Sequence, residues 1–175
     1  MRLSSLLFLA LLPTASLALA QDDLAKKIAN DPSAPSVNGA KAKLVDDSGV
    51  QGGKALQVTV ARKGAHDWDS TVESAVSKPV KAGDRLVLAF DAKLISIDGG
   101  ATNATLPYNA IQLQAAPYST VISGPAAIGS GWQFYKIEGK SDRNYGPGEL
   151  KATIQLGNAK QTVDFGPIVV LDMGQ

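Results

Sequence analysis

The chain has 175 residues, a formal net charge of +1, one histidine and no cysteine. Without cysteine there is no disulfide, thiol nucleophile or Cys-based metal centre, and a single imidazole cannot build a multi-histidine zinc site. Apart from Arg2, 16 basic residues face 16 acidic ones, so nothing in the charge calls for nucleic acid or an anionic membrane as a partner.

The first twenty residues run from Arg2 through an apolar stretch, Leu6 to Leu12, to Pro13 and the small residues ending Ala18-Leu19-Ala20. That order of charge, apolar run and A-x-A site is a secretory signal, and the apolar run is too short for a permanent span. Cleavage near Ala20 is expected, giving a secreted or periplasmic chain with no cysteine to carry a lipid. Residues 21–40 are polar, with Pro32 and Pro35, and read as a loosely held N-terminal lead-in with a helical turn or two over Asp22 to Ala29. Residues 41–175 suit one domain, a size at which folding buries roughly two thirds of the unfolded surface.

From there, strand-like runs recur between Gly, Pro, Asp and Ser clusters. Lys41 to Val45 is short. Ala55 to Ala61 sets Leu56, Val58 and Val60 on one face, and Trp68 to Ser74 alternates weakly. Arg85 to Lys93 is the clearest, with Leu86, Leu88, Phe90 and Ala92 opposed to Arg85, Asp91 and Lys93. In Ala110 to Ala116, Ile111 and Leu113 oppose Gln112 and Gln114. Trp132 to Glu138, Leu150 to Leu156 and Thr162 to Leu171 complete the set. Period-two alternation means strands with one buried face, as in packed antiparallel sheets. Lys81-Ala82-Gly83-Asp84 and Tyr145-Gly146-Pro147-Gly148 supply the turns. About eight strands in two sheets predict an all-β antiparallel sandwich, a jelly roll.

A catalytic centre has little to work with. His66 lies in a polar turn, and no G-x-S-x-G motif accompanies it. Asp69 and Glu73 share a strand face with Thr71 and are the one carboxylate pair that glycoside hydrolysis could use. A hydrogen-bonding surface is the better reading of the pair, because strand neighbours two apart project in parallel. Sugar binding needs flat rings for C–H faces and amides or carboxylates for hydroxyls. Trp68 between Asp67 and Asp69, Tyr118 beyond the strand of Gln112 and Gln114, and Gln155 between Ile154 and Leu156 supply those groups. Each has a plainer alternative: Trp68 as a cap on the core, the glutamines as an ordinary solvated face.

Taken in order, Gly52-Gly53-Lys54-Ala55-Leu56-Gln57-Val58, Trp68-Asp69, Val80-Lys81-Ala82-Gly83-Asp84, Ala116-Pro117-Tyr118 and Gly131-Trp132-Gln133-Phe134-Tyr135 resemble carbohydrate-binding modules of families 4, 9 and 22. The tail from Gln155-Leu156-Gly157 through Thr162-Val163-Asp164-Phe165-Gly166-Pro167 to Asp172-Met173-Gly174 is similar to one branch of that group. The resemblance implies a galactose-binding-domain-like jelly roll, monomeric and non-catalytic, with a β-glucan or xylan chain in a sheet cleft. It maps the cleft aromatic onto Trp68, polar strand positions onto Asp69, Thr71 and Glu73, and central amides onto Gln112 and Gln114; Tyr118 and Gln155 are further candidates. No cofactor is implied beyond a structural calcium near the Gly-Gly turn, for which Asp46, Asp47 and Asp172 could supply oxygens. Gly166-Pro167 stands where relatives carry acidic residues. The other readings are a protein-docking sandwich of the cell envelope and, third, a glycoside hydrolase.

Overall fold

The computed structural model describes residues 23–175, so the signal segment expected over residues 1–20 lies outside the described residues. Ten strands form two antiparallel five-stranded sheets. They are β1 (Ser36–Asn38), β2 (Lys41–Asp46), β3 (Lys54–Val60), β4 (Thr71–Ala75), β5 (Arg85–Ile97), β6 (Asn103–Leu113), β7 (Thr120–Gly129), β8 (Gln133–Lys140), β9 (Leu150–Gln155) and β10 (Gln161–Asp172). One sheet runs β1-β4-β9-β6-β7 and the other β2-β3-β10-β5-β8.

The expected alternation places the core. Leu86, Leu88, Phe90 and Ala92 of β5 are all 0–1% exposed, and they share one core with Ile111, Leu150 and Ile154 of the opposite sheet. Phe90 packs against Phe165 at 6.3 Å and Tyr135 at 5.4 Å between ring centroids, so three strands of one sheet share an aromatic centre. Each such buried side chain contributes about 1.5–3 kcal/mol.

Two strands go beyond the expected eight. β7 carries Gly124-Pro125 in its middle, which reads as a turn in sequence. It lies at a sheet edge and beside a register shift, two of the positions where a strand tolerates proline. β6 starts seven residues earlier than expected and passes Pro107 at a register shift between Leu106 and Asn109. The Asn109 amide donates to Leu106 O (3.0 Å) and Gly124 O (2.9 Å), closing that irregularity.

The lead-in segment is firmly attached, contrary to the loose hold expected. Ala29 is fully buried, and its N–H donates to Val170 O at 2.8 Å. The Asn30 amide donates to Ser74 Oγ and Ile168 O, both at 2.8 Å, and its oxygen accepts from Val170 N–H at 2.8 Å. One side chain therefore ties β4 of the first sheet to β10 of the second. β1 then pairs with β4, Val37 opposite Val72.

Candidate functional site

On the outer face of the first sheet, register builds a polar floor. Across one rung lie Asn38, Thr71 and Gln155; across the next Glu73, Thr153 and Ala110; across the third Lys151, Gln112 and Thr120. Alternate residues of a strand stand about 6.6 Å apart, so the three rungs span roughly 13 Å. The same strands send Val72, Ala152, Ile154 and Ile111 inward to the core, which fixes the polar set outward. The floor belongs to a cleft of about 700 Å³ that also takes in Trp68, Tyr108, Pro117 and Tyr118.

Two aromatic rings frame it at diagonal corners. Trp68 sits on a 3-10 turn, Asp67–Asp69, just ahead of β4 and is 61% exposed, which removes the alternative of a core cap. The turn is wedged in place by close backbone approach. A Cβ at Gly39, whose φ is +67°, would stand 1.8 Å from Asp69 O, and one at Gly157 would stand 2.5 Å from His66 O. Only glycine allows either contact. Gly157 N–H donates to Asp67 O at 2.8 Å and Ser70 Oγ to Gly39 O at 3.0 Å. The His66 ring stacks on Trp68 at 4.4 Å and 16°, covering part of the indole and limiting its rotation.

Tyr118, 53% exposed, stands at the other corner on the β6–β7 connection. Its φ of +56° is left-handed, an arrangement that costs a non-glycine residue about 1–3 kcal/mol. Its N–H donates to Ala115 O at 2.9 Å, and the Lys151 ammonium lies 5.3 Å from its ring centre. Tyr108 donates to Gln112 Oε1 at 3.1 Å and shares a hydrogen bond with Thr120 Oγ1, so the amide of Gln112 is held with its NH2 free.

Six of the eight expected residues line this cleft: Trp68, Thr71, Glu73, Gln112, Tyr118 and Gln155. Asp69 does not. The weak alternation from Trp68 breaks at the 3-10 turn, and Asp69 turns to a neighbouring hollow with Lys41, Arg62 and Lys63, its Oδ2 accepting from His66 N–H at 3.0 Å. Gln114 does not either. β6 ends at Leu113, and Gln114 lies in a separate hollow beside Arg143 and Glu149. Asn38, Tyr108, Pro117, Lys151 and Thr153 belong to the cleft without having been expected. Lys151 and Thr153 share the parity of Gln155 in a strand whose other residues are apolar, and that signal was there to be read.

The loss of Asp69 bears on hydrolysis. Among the described residues lining the cleft Glu73 is the one carboxylate, and it is bonded to Lys151 at 2.8 Å. The acid–base pair of Asp69 and Glu73 does not form.

The residues suggested for calcium do not fit that ion. Asp46 takes Lys54 at 2.6 Å, Asp47 takes Lys93 at 2.5 Å, and Asp172 lies at the far end of β10, accepting from Gly174 N–H at 2.9 Å. Among the described residues no three acidic or histidine groups converge as a metal would need. Besides the exposed Lys54, the cation near the Gly-Gly turn is Lys93, set between Asp47 and Asp164 (3.7 Å) and 4.9 Å from the centre of Trp132. Its hydrogen bond, with that from Gly49 N–H, holds the Asp47 carboxyl below its ordinary range.

No protein-family model matches the chain, and no curated protein matches it in sequence. Solved structures do match in shape. A CBM4 domain superposes with a TM-score of 0.63 at 19% identity, over 81% of this chain and 96% of its own. The N-terminal cellulose-binding domain of Cellulomonas fimi β-1,4-glucanase C gives 0.56 at 17% identity over 84% and 93%. The CBM22-1 xylan-binding domain from Paenibacillus barcinonensis Xyn10C gives 0.56 at 13% identity over 81% and 86%. At these identities the likeness is one of fold: the chain is an all-β sandwich built as CBM4 and CBM22 carbohydrate-binding modules are.

Proposed function

We propose that this chain is a non-catalytic carbohydrate-binding protein, exported to the periplasm or beyond, that lays a β-glucan or xylan-type chain across the cleft. The carrying observation is the pair of solvent-exposed rings, Trp68 and Tyr118, at opposite corners of a floor of amides and hydroxyls. A solvent-facing tryptophan gains from covering, and sugar C–H faces are flat enough to cover it. Gln112, Gln155, Asn38 and Thr71 then offer donors and acceptors to hydroxyls at strand spacing. Each contact replaces one with water, so affinity is set in the micromolar to millimolar range, roughly −8 to −4 kcal/mol. The CBM4 and CBM22 neighbours support the reading by fold. Calorimetric titration with soluble xylan, β-glucan and cello-oligosaccharides tests it. A saturable heat with at least one is expected, and a blank panel overturns it.

A further inference from the structure

The cleft floor holds an ion pair that is not complete. Glu73 and Lys151 are neighbours on adjacent strands, their side chains 18% and 10% exposed. Both protein hydrogen bonds to Glu73, from Lys151 Nζ at 2.8 Å and Thr71 Oγ1 at 3.2 Å, fall on Oε1. Oε2 has no partner among the described residues and is not among the buried unpartnered atoms, so it opens onto the cleft. Lys151 is in a matching state. Of its three N–H groups one goes to Glu73 and the ring of Tyr118 covers another side, which leaves donor capacity toward the cleft.

A free charged acceptor thus lies beside a free charged donor, their parent groups already in contact. Two hydroxyls on adjacent ring carbons present the complement, since one can donate to the carboxylate while its neighbour accepts from the ammonium. We infer that Glu73 and Lys151 together recognise a vicinal diol, and that this selects β-1,4-linked chains over β-1,3-linked ones. In a β-1,4 chain the 2- and 3-hydroxyls of every internal sugar are free and adjacent. A β-1,3 linkage consumes the 3-oxygen and leaves internal residues with no adjacent pair. The inference rests on the carbohydrate reading above and sharpens it to a linkage class.

The test compares calorimetric affinities of the wild-type protein for cello-, xylo- and laminari-oligosaccharides of equal length, then repeats them with Glu73→Gln and Lys151→Met. Hydrogen bonds to charged groups are strong enough that a preference for the β-1,4 chains of roughly tenfold to a hundredfold is expected. Each variant should weaken β-1,4 binding about tenfold or more and shrink the preference, because chain shape alone would leave the preference standing. If Lys151→Met fails to fold, the near-isosteric Glu73→Gln decides. Equal wild-type affinity for the two linkages, or a preference untouched by the substitutions, overturns the diol assignment while leaving carbohydrate binding in place. A wild-type protein that binds none of these sugars overturns the carbohydrate reading itself.

Discussion

Two lysines on opposite faces of the sandwich have the same dressing, a carboxylate in hydrogen-bond reach and an aromatic ring about 5 Å away. Lys93 has Asp47, Asp164 and Trp132; Lys151 has Glu73 and Tyr118. Around Lys93 the arrangement closes on itself. Asp164 is 3% exposed with its other oxygen taken by Gln57 at 2.9 Å, Asp47 also accepts from Gly49 N–H, and Val50 buries itself near Gly166 and Asp91. Around Lys151 one carboxylate oxygen is left over and the ring is half in solvent. The same three kinds of group, an ammonium, a carboxylate and a ring, form a fastening around Lys93, where the carboxylate oxygens are taken up, whereas around Lys151 one carboxylate oxygen stays open at a similar depth of burial. A buried charge is tolerable only when it is paired, and each of these lysines has a carboxylate within hydrogen-bond reach.

Substitutions should separate the two faces cleanly. Trp68→Ala is expected to have the largest effect on binding, about 2–4 kcal/mol, enough to push a weak affinity beyond detection. Because the ring is exposed, melting should stay within a degree or so; an unfolded variant would show that Trp68 belongs to the core after all. Lys93→Met is expected to do the reverse. It leaves Asp164 buried and unpaired, costing about 2–3 kcal/mol and lowering the melting temperature by roughly 5–10 °C, with affinity in the folded protein unchanged. His66→Ala removes the stack behind Trp68 and should weaken glycan binding roughly three- to tenfold, with recovery in His66→Phe. Chelator should move neither melting nor binding measurably, because Asp46 and Asp47 are already engaged by Lys54 and Lys93. A large fall in melting temperature would mean that Lys93 is not the cation that matters at that loop.

The smallest effect concerns Asp91, whose carboxyl is pushed up by desolvation on the fastened face. An acid whose folded value is raised costs stability in full above that value, and the cost shrinks as pH falls from there and is gone below the ordinary unfolded value. Asp91→Asn should therefore raise the melting temperature slightly at neutral pH, and the gain should vanish on acidification. Asp47 has the opposite sign. Its contribution is complete above the unfolded carboxylate range near pH 4 and is lost as pH falls toward its depressed folded value. Thermal melts between pH 2.5 and 7 would show both trends.

Much of this comparison was legible in the residues themselves, unevenly. The run Leu86, Leu88, Phe90, Ala92 against Asp91 and Lys93 predicted both the core side of β5 and the polar face on which the fastening is built. Trp68, Glu73, Gln112 and Gln155 were found by chemistry and parity together. Parity failed wherever the backbone stopped being a strand, at the turn holding Asp69 and at the end of β6 before Gln114. It could not find β7, because Gly124-Pro125 imitates a turn, nor Tyr108, because the expected strand began only at Ala110, beyond Pro107, although Tyr108 shares the parity of Gln112. The partner of a lysine is a long-range fact. Nothing local to Lys151 says that Glu73, on another strand, will lie 2.8 Å away.

The pairing of Ile28 with Leu171 has a consequence for how the molecule can be rearranged. Among the described residues, Ile28 lies beside the end of the central strand β10, so the backbone path from residue 28 to residue 171 is nearly a closed ring. A ring may be cut elsewhere: joining the chain just ahead of Ile28 to the chain just after Leu171 with a short spacer, and opening the exposed Gly99-Gly100 turn, would preserve every strand neighbour. The stretches at Ile28 and Leu171 are therefore neighbours in space although far apart in sequence.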